Sequence, residues 1–174
     1  MLKISTRFKQ VFTHEEGWQF HASLQPIRDM KIYNDDFFPI RQILRVDYPV
    51  GVRSGQVVQE NSGQRYLLAD YDHREGIYTG FRAIPVSKQV SWTRMEPIID
   101  QLTREPKGSR KIEMGNLWVV SELLSRNARG SHILTREEVT RVLTGADVGL
   151  NDLIDGRVVK EVNYTLGIRV LEVV

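Results

Sequence analysis

The feature that most constrains this chain is its punctuation: short runs of aromatic and β-branched residues broken every few positions by Gly, Asn, Asp or Pro. Trp18, Phe20 and Ala22 alternate with Gln19 and His21, and Leu44, Val46 and Tyr48 alternate further on. Period two puts one set of side chains on one face of a pleated strand. Glu15-Glu16-Gly17 reads as a turn before Trp18, and Asn34-Asp35-Asp36 reads as a turn before Phe37-Phe38. Pro26 and Pro39 belong at edges or turns, because proline has no N–H for a sheet ladder. Gln56–Gln59 and Arg65–Ala69 flank Asn61-Ser62-Gly63 as a hairpin, and Asp72–Gly76 leads into a further strand from Ile77 to Ile84. Leu117–Val120 reads as a buried strand. The chain ends in two apolar strands, Arg157–Tyr164 and Ile168–Val174, joined at Leu166-Gly167 and preceded by the turn Asp155-Gly156.

Two stretches read as helix. Thr93 and Glu96 form a T-x-x-E capping box, and Met95, Ile98, Ile99 and Leu102 follow at i, i+3, i+4, i+7. Pro97 would then sit in the first turn, where its missing N–H costs little. Thr135 and Glu138 form a second box ahead of Val139, Val142 and Leu143, with Gly145 placed as a C-terminal cap. Arg104–Arg110 and Arg126–Ser131 are polar and read as loops. The expected architecture is therefore mainly β with minor α. It is a small SH3-like, barrel-type core with two peripheral helices, near 94–104 and 136–144, and extended loops. At 174 residues one domain over 1–174 is expected, with 1–50 a β-rich N-terminal extension or lobe and 51–174 the barrel core.

One internal echo stands out. Gly63-Gln-Arg-Tyr-Leu-Leu-Ala-Asp-Tyr is answered by Gly156-Arg-Val-Val-Lys-Glu-Val-Asn-Tyr, each followed by a turn and an apolar strand.

Composition narrows the chemistry. The chain has no cysteine, which excludes disulfides, thiol nucleophiles and zinc–thiolate sites. Lys and Arg number 24 against 22 Asp and Glu, a net charge of +2 that is too small to imply nucleic-acid binding by itself. No apolar run reaches the ~20 residues that span a bilayer as a helix, and no secretory leader is expected. Neither G-x-S-x-G, a Gly-rich phosphate loop nor H-E-x-x-H occurs. His14, His21, His73 and His132 form no i, i+4 pair. Asp70, Asp72 and Glu75 are the densest acidic cluster, but Gly76 and Phe81 fall where an EF-hand needs other residues. The reading is of a non-enzyme with no metal and no cofactor. A divalent-metal enzyme at that cluster stays as a competitor. So does a nucleic-acid-binding module that stacks bases on Tyr66, Tyr71, Tyr78 and Phe81 beside Arg65, Arg74 and Arg82.

The segment from Leu150 to Val174, with its Asp155-Gly156-Arg157 strand start and its closing Leu171-Glu172-Val173, resembles the final hairpin of head-closure proteins. These are the stopper, or head–tail connector, proteins of tailed bacteriophages. Gly55–Ala69 is similar to the first strands of the same barrel. The resemblance implies a virion structural protein of the phage neck. Identical subunits would form a ring, hexameric or dodecameric, between the portal or adaptor and the tail terminator or other tail proteins. The ring would close the DNA-filled head, dock the tail and pass genomic DNA without sequence specificity. It implies synthesis in the host cytoplasm and no membrane association. Candidate DNA-channel loop residues are Arg104, Lys107, Arg110, Lys111, Arg126 and Arg129. A tail-completion or baseplate-associated phage protein is the variant within this reading.

Overall fold

A computed structural model describes residues 10–26, 42–47, 51–75, 78–130 and 133–174. The turn expected at Asn34–Asp36, the neighbouring Phe37, Phe38 and Pro39, and Tyr48 lie outside them. The described chain is mainly β. Its strands are β1 Gln10–His14, β2 Gln19–Pro26, β3 Gln42–Asp47, β4 Val57–Glu60, β5 Arg65–Glu75 and β6 Tyr78–Pro85. They continue as β7 Lys88–Ile99, β8 Pro106–Gly130, β9 Ile133–Thr144, β10 Leu153–Ile154, β11 Arg157–Thr165 and β12 Ile168–Val173.

These strands close into two barrels. One domain was expected; the chain divides into two compact units, residues 1–86 with 166–168, and residues 87–165 with 169–174. Around the first barrel the order is β1-β2-β3-β6-β5-β4, closed by β1 on β4. Around the second it is β7-β8-β9-β12-β11-β10, closed by β10 on β7. Advancing every label of the first circuit by six gives the second. The echo between Gly63–Tyr71 and Gly156–Tyr164 falls on β5 and β11, which hold the same place in the two circuits.

The first barrel is filled by alternate residues of its strands, including Phe12, Phe20, Ala22, Leu44, Val46, Val58, Leu68, Phe81 and Ala83. A six-stranded barrel is narrow enough for side chains to fill it. Phe12 lies 5.9 Å from Phe20 and 6.4 Å from Tyr66, centroid to centroid. Burying each such ring is worth about 1.5–3 kcal/mol over leaving it in water. Burial, and then the nearby Glu60 carboxylate, push the Tyr66 hydroxyl above its ordinary pKa. Between β1 and β2, His14 N–H donates to Trp18 O and Gly17 N–H to His14 O, both at 2.8 Å, with Gly17 at φ 90°. The Glu15-Glu16-Gly17 turn is thus as expected, and so is the Asn61-Ser62-Gly63 turn between β4 and β5.

The second barrel packs Val90, Trp92, Val119, Val142, Ile154, Val159, Leu171 and Val173. Its short closing strand β10 turns into β11 through Asp155 (φ 50°) and Gly156 (φ 76°). Two successive left-handed residues make the type I′ turn that Asp-Gly favours.

Neither expected helix forms. Residues 94–99 belong to β7, 100–105 turn, and 136–144 belong to β9. The capping boxes and the i, i+4 spacing are local signals, and pairing over a long ladder overrides them. In β9 the β-branched residues Ile133, Thr135, Val139, Thr140, Val142 and Thr144 favour the strand. Pro97 is tolerated because it lies opposite Ser109 in a two-stranded ribbon, whose outer edge needs no donor. Most of both expected loops is also strand, since β8 runs from Pro106 to Gly130; Arg104 and Glu105 stay in the turn, and Ser131 lies outside the described residues. Around Pro106–Arg110 the ribbon is exposed on both faces and has no buried apolar face, so the sequence there carries no alternation and reads as loop.

Candidate functional site

Strand β8 belongs to two hairpins in turn. Up to Val119 it pairs with β7, and from Val120 to Gly130 with β9. Only part of each hairpin is barrel wall. β10 meets β7 at Trp92 and Thr93, so beyond Thr93 the partner of β7 among the described residues is β8 alone. β12 meets β9 from Thr140 to Thr144, so residues 133–139 pair, among the described residues, with β8 alone. Two two-stranded arms therefore leave the second barrel. The first comprises 94–99, the turn 100–105 and 106–112.

Opposed charges hold the first arm. Arg110, directly across from Glu96 in the ladder, donates to its carboxylate from Nε at 3.2 Å and from Nη2 at 2.8 Å. Both groups are substantially exposed, so the pair contributes a fraction of a kcal/mol, about 0.2–1. At the turn the Asp100 carboxylate accepts the Leu102 N–H at 2.7 Å and the Thr103 N–H at 3.4 Å, and pairs with Lys107. Asp100 N–H donates to Glu105 O and Arg104 N–H to Asp100 O, both at 2.9 Å, while Arg104 takes φ 58°. The Lys107 ammonium, followed by the Leu102 amide, holds the Asp100 carboxyl below its ordinary pKa. Against this polar frame the tip is apolar: Leu102 is 94% exposed, Ile99 58% and Ile98 47%.

Sequence reasoning named six candidate residues, and the fold separates them. Arg104, Lys107, Arg110 and Lys111 share the first arm, all exposed, one in its turn and three on β8. Arg126 and Arg129 are on the second arm, opposite Glu137 and Leu134 in register. Lys107 and Arg110 already face carboxylates of the same arm. Among the described residues no carboxylate pairs with Arg104 or Lys111.

The second barrel also carries a groove of about 390 Å³. Leu123, Val142, Ile154 and Val173 supply apolar wall, and Lys88, Asp155 and Arg157 supply charge. Lys88 Nζ lies 3.1 Å from Asp155 Oδ2, and Asp155 Oδ1 accepts the Ser91 N–H at 2.9 Å. Burial pushes the Asp155 carboxyl up, but the bonds from Ser91 and Lys88 outweigh it and leave the pKa below its ordinary value. Arg157 donates to the Thr140 hydroxyl at 2.9 Å. Sequence reasoning missed this groove, because its residues come from six strands and leave no local pattern.

Asp70, the first residue of the expected acidic cluster, is exposed on β5, where the pairing with β6 is irregular between Asp70 and Arg74. Among the described residues no three His, Asp or Glu side chains are gathered as a metal site. No described helix is long and apolar enough to cross a membrane. Comparison with known proteins adds no relative: no family model, curated protein or solved structure matches the chain.

Proposed function

We propose that this chain is a structural subunit of the neck of a tailed bacteriophage. In this reading, identical copies form a ring, hexameric or dodecameric, between the portal or adaptor and the tail. The ring closes the filled head, passes DNA and offers the tail its platform. The subunit is made in the host cytoplasm, acts in the virion and performs no catalysis.

The observation that carries the reading is the first arm, a hydrogen-bonded ribbon beyond the barrel wall with Ile98, Ile99 and Leu102 exposed at its end. Exposed apolar residues on a stiff projection serve contact with another surface. The hairpin of β11 and β12, on which the resemblance rests, supports the same reading through its place in a small closed barrel. The electrostatics of the arm also fit a channel. A lumen must tolerate phosphate without gripping it. Lys107 and Arg110 spend their charge on Asp100 and Glu96, which leaves the arm a weak field.

Immunogold electron microscopy of particles from the source, with antibody against this chain, tests the proposal. Label at the head–tail junction is the expected result. Label on the tail or baseplate would move the chain to the tail-completion variant. Unlabelled particles would overturn the phage reading.

A further inference from the structure

From the second barrel's geometry we infer that the arm tip of one copy seats in the β10–β11 groove of the next. Ile98, Ile99 and Leu102 are the plug, and the groove at Leu123, rimmed by Lys88, Asp155 and Arg157, is the socket. The inference deepens the ring reading: it rests on the oligomer proposed there and names the contact that builds it.

Three observations point to a second copy as the occupant. The first is chemical match. The tip has three exposed apolar side chains, and at the groove Leu123 is 67% exposed while Val142 and Ile154 are buried in the barrel core. A buried apolar plug inside a polar rim is the ordinary anatomy of a protein contact.

The second is charge. Glu105 is exposed beside the plug, and no cation pairs with it among the described residues. Arg157 stands at the groove with only the Thr140 hydroxyl as its described partner. An unmatched carboxylate on the plug and an unmatched guanidinium at the socket complement each other.

The third is reach. Lys88, at the groove, and Ile99, at the tip, are the two ends of β7. Eleven steps along an extended strand put them about 36 Å apart. The ladder to β8 keeps the strand extended along that length, with register shifts at Trp92/Thr93 and Ile98/Ile99. The tip therefore cannot fold back into its own groove, and its occupant-to-be must come from another chain. Plug and socket are different surfaces of one subunit, so the contact is head-to-tail. Such contacts repeat until the rotation closes a ring.

The absence of cysteine makes the test direct. Two full-length variants, Leu102→Cys and Leu123→Cys, are mixed at high concentration under mild oxidation. A mixed disulfide requires the two Cβ atoms to approach within about 4.5 Å. The expected result is the mixed dimer in clear excess over either homodimer. In the doubly substituted chain it becomes a ladder that ends at the ring. Mixed product no more abundant than the homodimers overturns the inference. A charge exchange supplies the second arm. Arg157→Glu in the socket chain should cut the mixed yield about fivefold, and Glu105→Arg in the plug chain should restore it. A loss that the exchange leaves in place also overturns the pairing. These outcomes are separable from those of the proposed function. Neck label without the mixed disulfide sinks the contact alone, and the disulfide without neck label sinks the location alone.

Discussion

Trp92 donates its indole N–H to the buried carboxylate of Asp152 across 3.0 Å, joining the wall of the second barrel to the loop ahead of its closing strand. The same carboxylate accepts the Gly149 N–H at 2.9 Å, and Arg94 approaches it at 3.5 Å while lying over the Trp92 ring. Replacing Asp152 by Ala leaves the buried Trp92 indole and the part-buried Gly149 amide without their acceptor. The expected cost is about 2–4 kcal/mol in urea unfolding. Asp152→Asn keeps an oxygen there and should cost less than the Ala variant. Equal losses for Ala and Asn would mean that hydrogen bonding is not what Asp152 contributes.

In the first barrel, Phe12 is wholly buried against Phe20 and Tyr66. Phe12→Ala should destabilise by about 3–5 kcal/mol, because the missing ring leaves a cavity as well as lost transfer energy. Thermal or urea unfolding followed by circular dichroism measures it. A change under about 1 kcal/mol would contradict so tight a core.

Gly156 has φ 76° and nothing within 4 Å of where a Cβ would stand. Gly156→Ala therefore isolates backbone strain from crowding. About 1 kcal/mol of lost stability is expected, with the barrel otherwise unchanged. A neutral variant would show that the turn relaxes freely.

Asp100 and Asp155 both have carboxyl pKa values held below the ordinary 3.8. Their bonds favour the ionised form, so the stability they give is complete above 3.8. It is lost as pH falls through the lower folded value. Asp155→Asn, which tolerates the left-handed backbone, should melt below the parent at pH 7. The two melting curves should draw together below pH 3.8. A gap that persists to pH 2.5 would assign the loss to something other than the charge.

Of the first arm's cations, Arg104 and Lys111 lack carboxylate partners among the described residues. Contact through these two alone gives a slope of log K against log salt of about −1.8 for duplex DNA. Binding of free DNA should therefore be weak, with a slope near that value in fluorescence anisotropy. A slope steeper than about −4 would favour a dedicated nucleic-acid-binding module over a channel wall.

The mainly β character was legible in the sequence because barrel strands have one buried face. Phe20 and Ala22, or Val58 with its turn at Gly63, declare themselves by alternation and punctuation. The first arm is exposed along most of its length, so Lys107 and Arg110 looked like loop residues. There the spurious helix spacing of Met95, Ile98 and Ile99 went uncorrected. What the sequence withheld was pairing at long range: nothing local tells Leu153 that its partner is Thr93. Nor did the echo of Gly63 in Gly156 suffice to reveal that a whole strand circuit recurs.

The Trp92–Asp152 contact, spanning 60 positions along the chain, also bears on how the protein reaches its fold. The hairpins of β7 with β8 and β8 with β9 are made of near neighbours and can zip on a microsecond scale. Docking of β10 on β7 must wait until the chain has closed a far larger loop. During that interval the stretch of β7 that β10 will cover, Trp92 and Thr93, is open, and its unpaired N–H and C=O groups are available to any other strand. A chain at high concentration would be most exposed to misassembly at that moment, and the docking of β10, with the Trp92–Asp152 bond beside it, ends it.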